Sequence, residues 1–159
     1  MAKTRVSVYI DGFNLYHSTL QFAHPNNRWL NLMELSKRII NPKTEEISEE
    51  KKTDINIAIT LLADGMADNF DTALILSGDS DLTPAILKLK KLCPHKKAGI
   101  IVPQNQSAMN LKQHADFFKK IQDRDLKKSL LPEQITYKGN IITAPTGWLP
   151  NPKHTPQYL

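Results

Sequence analysis

A largely apolar run, Thr72-Ala73-Leu74-Ile75-Leu76, that stops abruptly at Ser77-Gly78-Asp79-Ser80-Asp81 does most to limit what this chain can fold into. Unbroken apolarity of that length, without polar alternation, is expected of a strand covered on both faces, as in a parallel sheet. Parallel strands need helical crossovers between them, so the run already implies helices packed above and below a sheet. Carboxylates placed at the carboxyl end of such a strand stand where open α/β sheets carry their ligands.

The chain opens with a second copy of that grammar. Val6, Val8 and Ile10 alternate along a strand from Arg5 to Ile10, which ends in Asp11-Gly12-Phe13-Asn14. A short helix through Tyr16 and Leu20 follows. Asn31 is placed to cap a helix to about Ile40, with Glu34 three residues on and Leu32, Leu35 and Ile39 as its apolar face. Asn41 to Lys52 is polar and charged and reads as a linker or exposed loop. Ile55, Ala58, Ile59, Leu62 and Met66 recur at helical spacing, which predicts an amphipathic helix opened by Asp54.

After the Thr72–Leu76 strand, Ser80 or Asp81 is placed to cap a helix with Pro84 in its first turn, Leu82, Ile86 and Leu89 inward and the lysines outward. Ala98 to Val102 is a further buried strand, and Ser107 is expected to cap a helix carrying Leu111, Ala115 and Phe118. Ile135–Tyr137 and Ile141–Thr143 flank Lys138-Gly139-Asn140 as a small hairpin. The proline-rich remainder favours an extended arm, anchored by Trp148. The arm can serve a homodimer or a protein partner. The fold class expected is α/β, a three-layer α/β/α sandwich around a parallel sheet of Rossmann-like type, plus this hairpin and arm.

Asp11, Asp54, Asp79 and Asp81 then gather at one sheet edge. Four carboxylates in one place repel each other unless protonated or neutralised, and a divalent cation is the usual resolution. All-oxygen donors suit Mg²⁺ or Mn²⁺, whereas zinc calls for His and Cys, which are not at zinc-ligand spacing here. Phosphoryl-type chemistry follows from such a centre. Asn14, Ser77 and Thr83 stand where they can orient water or phosphate. His17 falls on the polar side of its short helix and is read as a surface residue.

With 21 Lys and Arg against 16 Asp and Glu, the chain carries +5 at neutral pH despite its acidic cluster, so basic residues must concentrate elsewhere. Lys88, Lys90, Lys91, Lys96 and Lys97 form the densest group, and a polyanion guided by lysines to a metal is the partner this pattern suits. Lys51, Lys52 and Lys112 are further candidates to hold the strand. The start, MAKTRVSVYIDG, leads into a strand instead of a signal peptide, and no apolar run reaches membrane-span length. With one cysteine, Cys93, an internal disulfide cannot form, and the expected location is cytoplasmic with no membrane contact.

The four segments VYIDGFNLYHS, KKTDINIAITLL, DTALILSGDSDLTPAI and AGIIVPQNQSAMNLKQHADFF, in this order, resemble the NYN domain family, a branch of the PIN-like nucleases. The resemblance covers most of the chain, through about Trp148; residues 1–130 would form the NYN (PIN-like) domain and 131–159 a C-terminal extension. It implies an α/β/α sandwich with a Mg²⁺ or Mn²⁺ site that cleaves RNA. Position by position, Asp11, Asp54, Asp79 and Asp81 correspond to the family's acids, and Asn14 to the polar residue of the first turn. One departure is plain: the family usually carries a strand, a helix and a strand where this chain has only Asn41 to Lys52. That implies a trimmed domain or a segment absent from the recorded chain.

The function expected is therefore a metal-dependent ribonuclease acting at a cluster of aspartates. A catalytically weak RNA-binding or regulatory module that keeps the acidic shell is the main alternative. A small-molecule phosphohydrolase with an aspartate nucleophile would want a second acid two residues after the first, and DGFN has Phe13 there.

Overall fold

A computed structural model describes residues 4–20, 25–40, 47–51, 54–103 and 106–150. β1 (Val6–Ile10) leads into α1 (Gly12–Leu15), a π-helical turn over Tyr16–Leu20 and a 3₁₀ turn at Pro25–Asn27, then α2 (Leu32–Ile39). β2 (Ile47–Lys51), α3 (Asp54–Met66) and β3 (Thr72–Leu76) follow. A 3₁₀ turn at Ser80–Leu82 enters α4 (Thr83–Leu92), and β4 (Lys97–Val102), α5 (Met109–His114), β5 (Phe117–Lys120) and α6 (Asp123–Lys127) complete the α/β body. β6 (Gln134–Tyr137) and β7 (Asn140–Thr143) form a separate antiparallel hairpin.

The five strands of the body pair in the order β2-β1-β3-β4-β5, all parallel. Period-two alternation sorts their side chains into two apolar layers, because both sheet faces are covered. Tyr9, Ala73, Ile75, Ala98, Ile100 and Val102 pack with Ile57 and Leu61 of α3, Ile86 and Leu89 of α4, and Leu111 of α5. Val6, Val8, Ile10, Leu74, Leu76 and Ile101 pack with Leu15, with Leu35 and Ile39 of α2, and with Leu126 of α6. The sandwich is thus α/β/α, as the sequence implies.

Several local expectations are corrected. Ile47–Lys51 is not a linker: it is an edge strand in register with β1, from Val6 opposite Ile47 to Ile10 opposite Lys51. Charged residues are the usual content of sheet edges, and they hide the apolar signal that marks inner strands. The rest of that interval, 41–46 and 52–53, lies outside the described residues. On α3 the fully buried stripe is Ile57, Leu61 and Gly65; of the expected face, Ala58 and Leu62 pack partly buried against the core, whereas Ile55, Ile59 and Met66 are exposed. The helix expected to include Phe118 ends at Ala115, and Phe118 belongs to β5, because the Asp116 backbone N–H donates to the Ala98 carbonyl and its carboxylate accepts from the Ala98 N–H, drawing the chain into the sheet. Ser107 caps nothing; Ala108 precedes α5 without a side-chain cap.

Asn31 does cap α2, its Oδ1 accepting from the Glu34 N–H at 3.0 Å, while Glu34 pairs with Arg38 at 2.9 Å instead of returning to the cap. The hairpin lies within a residue of its expected limits. Lys138 and Gly139 both have positive φ, 50° and 80°, the backbone of a two-residue turn whose twist matches that of the strands. Trp148 anchors this region: its carbonyl accepts from the N–H groups of Arg28 and Trp29, and its ring meets that of Trp29 edge-on. Residues 151–159 of the arm lie outside the described residues.

At the amino-terminal edge, Lys96 is buried, with its ammonium on Asp68 and the Phe70 carbonyl. Lys96→Met fills similar space but leaves that carbonyl without a donor, so we expect a loss of about 1–3 kcal/mol in unfolding free energy. Urea denaturation reads this directly, and an unchanged midpoint would show that water or a shifted side chain replaces the ammonium.

Candidate active site at the carboxyl edge of the sheet

The strand order reverses direction between β1 and β3, since the chain leaves β1 toward β2 on one side and returns to β3 on the other. Loops diverge above such a point and leave a crevice at the carboxyl ends. Asp11 and Asp79 follow those two strands. Asp11 is buried and caps α1, with Oδ1 accepting from the Asn14 N–H at 2.8 Å and Oδ2 from the Ser77 hydroxyl at 2.9 Å. Ser77, also buried, accepts in turn from the Asp79 N–H at 3.0 Å. Asn14 reaches across to accept from the Gly78 N–H at 3.1 Å, so three side chains lock the two turns together.

Asp79, not Ser80 or Asp81, supplies the cap of the 3₁₀ turn, its Oδ1 accepting from the Asp81 N–H at 2.9 Å. Asp54 opens α3 and turns toward the same crevice. Burial raises its carboxyl most, followed by a hydrogen bond with Asp11 and repulsion from Asp11, Asp79 and Asp81, so that its pKa is pushed up to about 6. Of the four acids expected together, Asp11, Asp54 and Asp79 line one cleft, whereas Asp81 lies on the adjoining turn, outside the lining, and acts on Asp54 only through its charge. Among the described residues, however, no three His, Cys, Asp or Glu side chains stand at the mutual spacing of metal ligands.

A cleft of about 350 Å³ is lined by Asp11, Phe13, Asn14, His17, Asp54, Asp79 and Gln106, together with Ser18. Gln106 was not a sequence candidate. Its Oε1 is buried with no hydrogen-bond partner, and it lies so close over Gly78 that a Cβ there would displace it. Only its place shortly after the end of a buried strand could have signalled it. His17, read from sequence as a surface residue, lines the cleft from the π-helical turn, a distortion found frequently at functional sites. Thr83 Oγ1 is a second buried oxygen without a partner, beside the turn that holds Asp79 and Asp81.

The lysines do not gather here. α4 starts at the acidic edge and runs away from it, and Lys90 pairs at 2.8 Å with Asp116, beside the start of β4. Lys90 is thus roughly 10 Å farther along the helix than Thr83 at 1.5 Å per residue. Lys88 and Lys91 are exposed on the same helix, Lys96 is buried in the ion pair described above, and Lys112 lies over the Phe118 ring at 5.4 Å. Lys51 ends β2, and Lys52 is outside the described residues. We expect Lys88→Gln, Lys90→Gln and Lys91→Gln combined to leave the salt dependence of RNA binding unchanged; a slope flattened by about 0.7 per lysine would restore these residues to the substrate track.

No helix among the described residues is long and apolar enough to cross a membrane. Comparison with curated proteins finds no match. A crystal structure of a protein of unknown function from Vibrio parahaemolyticus RIMD 2210633 is similar in fold, with a TM-score of 0.53 at 15% identity over 76% of this chain and 94% of that one. The NYN domain family model matches residues 21–122, more than half of the chain, and takes in Asp54, Asp79 and Asp81 while Asp11 lies ahead of the matched span. Two acid-ended parallel strands, tied together at the point where the sheet reverses, thus sit in a chain that belongs to the NYN domain family.

Proposed function

We propose that this protein is a divalent-metal-dependent ribonuclease that hydrolyses RNA phosphodiester bonds in the cleft lined by Asp11, Asp54 and Asp79, with Asp81 on the turn beside it. NYN domains are PIN-like nucleases, so family membership supports the nuclease class. The observation that carries the finer reading is the raised carboxyl of Asp54, which reports three other acids close enough to oppose its ionisation.

The donor set is compatible with Mg²⁺ or Mn²⁺. Such ions are commonly held through one or two carboxylates with several waters retained, so three ligands at bonding distance are not needed. Asp11 and Asp79 are the first candidates to hold the ion, with Asp54 and Asp81 around it and the unpartnered Gln106 oxygen as a neutral acceptor nearby. When bound, the ion supplies charge neutralisation at the phosphate and a more acidic water. The chain's own contribution is placement: Ser77 and Asn14 fix the two acid-bearing turns relative to one another, and Asp54, whose ionisation burial and the other acids oppose, is a carboxylate that a cation would favour in its charged form. A cytoplasmic location accords with the buried, unpaired Cys93.

Labelled single-stranded and structured RNA, incubated with the protein and Mn²⁺ or with chelator, tests the reading. Cleavage that requires the metal is expected. The second reading is an RNA-binding module with little activity that keeps the acidic shell. Metal-independent RNA retention without any cleavage would establish that reading instead.

A further inference from the structure

Phe13 is 77% exposed, yet it is part of the wall of a polar, acid-lined cleft. It is not an isolated apolar residue of the kind any surface carries. Its ring lies 4.2 Å from that of His17, which also lines the cleft, and His17 meets Tyr16 edge-on at 5.1 Å. The Arg28 guanidinium lies 5.6 Å from the Tyr16 ring centre, its Nε donating to the Leu20 carbonyl. Three rings and a cation thus form a continuous series of neighbours, of which Phe13 and His17 line the cleft.

We propose that this series is the track of a single-stranded RNA, with one unpaired nucleobase stacked on the open face of Phe13 so that an adjoining phosphate is set at the acids. The inference rests on the ribonuclease reading for its substrate and adds where the strand lies and why it must be unpaired. Base–aromatic stacking tolerates any sequence, because every base has a π-face, and a guanidinium next in line offers both a stacking plane and a charge for phosphate. A duplex keeps its bases stacked on each other and presents none to Phe13. Repulsion from the acids would oppose an approaching phosphate, so a contact that draws in the base independently of charge supplies what the lysines of α4 do not.

The test uses the full chain carrying Asp79→Asn, so that binding is read without turnover, and a single-stranded RNA with one 2-aminopurine in Mg²⁺ buffer. Binding should quench the fluorophore. Adding Phe13→Ala should remove most of the quench and weaken binding about tenfold, the usual scale for losing one stacked base. Phe13→Trp should restore both, and Phe13→Leu, which keeps bulk without a ring, should behave like Phe13→Ala and so separates stacking from folding. The same sequence in a duplex should be insensitive to all three.

Equal quench and affinity with and without the Phe13 ring would overturn the proposal, as would a failure of the Asp79→Asn protein to bind or quench any single strand. The two readings fail separately. Phe13-dependent quenching in a protein that never cleaves RNA with Mn²⁺ removes the nuclease and leaves the aromatic track standing. Metal-dependent cleavage with Phe13-independent binding removes the track alone.

Discussion

Asp79→Asn is expected to abolish metal-dependent RNA cleavage while leaving RNA affinity equal or slightly higher. Substituting even a residue that merely supports a metal ligand commonly costs about 10–100-fold in metal affinity or activity, so a direct ligand should cost at least that. Asn is the appropriate replacement because Asp79 also caps the turn that follows, accepting from the Asp81 N–H, and an amide oxygen caps as well as a carboxylate. Loss of activity then reports chemistry and not unfolding. RNA affinity should not fall, because one negative charge has been taken away from a polyanion's path. Measuring single-turnover cleavage beside filter binding decides it, and a variant that cuts at the native rate would exclude Asp79 from the reaction.

The second large effect concerns Asp54 and runs against the usual behaviour of carboxylates. Its pKa in the folded chain is raised from 3.8 to about 6 by burial first and by Asp11, Asp79 and Asp81 after that. The folded state therefore binds a proton that the unfolded state has already lost between those values, and stability declines as pH rises through the window. Without metal, the urea midpoint should fall between about pH 4 and pH 6 and then level off. Asp54→Asn should remove most of that decline and raise stability at neutral pH, an effect of about 1 kcal/mol because solvent screens a carboxylate that is only partly buried. Mn²⁺ at pH 7 should stabilise the native chain and not this variant to the same extent. A midpoint that instead rises across the same window would mean that Asp54 ionises freely and the acids do not confront one another.

The central part of the site was legible because buried parallel strands have a simple signature. β1 and β3 announce themselves by apolarity, their ends by Asp11 and by Gly78-Asp79, and parallel pairing then forces both ends to one edge. β2 was illegible for the converse reason: an edge strand is held by backbone pairing with β1 and needs no apolar face of its own. α3 shows a different limit. Ile55, Ile59 and Met66 form one stripe at helical spacing, and Ile57, Leu61 and Gly65 another. Periodicity cannot choose between two apolar stripes; packing against the sheet and α4 does. β5 was lost to the same ambiguity, since Leu111, Ala115 and Phe118 satisfy a helix period although the chain leaves the helix at Ala115. Phe13 and Gln106 escaped notice because lining a cleft depends on what stands opposite, and residues distant in sequence supply that.

The placement of β1 between β2 and β3 also sets when the cleft comes into being. Asp11 emerges early in synthesis, but the strand that closes the other side of its crevice is completed only at Leu76, and Ser77, which fixes its carboxylate, comes one residue later. The central pairing is therefore non-local, and its loop-closure entropy is spent before the two acid-bearing turns can meet. An amino-terminal fragment that stops before β3 would carry Asp11 and Asp54 but neither Asp79 nor the Ser77 hydroxyl that fixes the first carboxylate. The geometry of the acidic cleft is consequently assembled together with the middle of the sheet, because the contacts that fix Asp11 come from the end of β3.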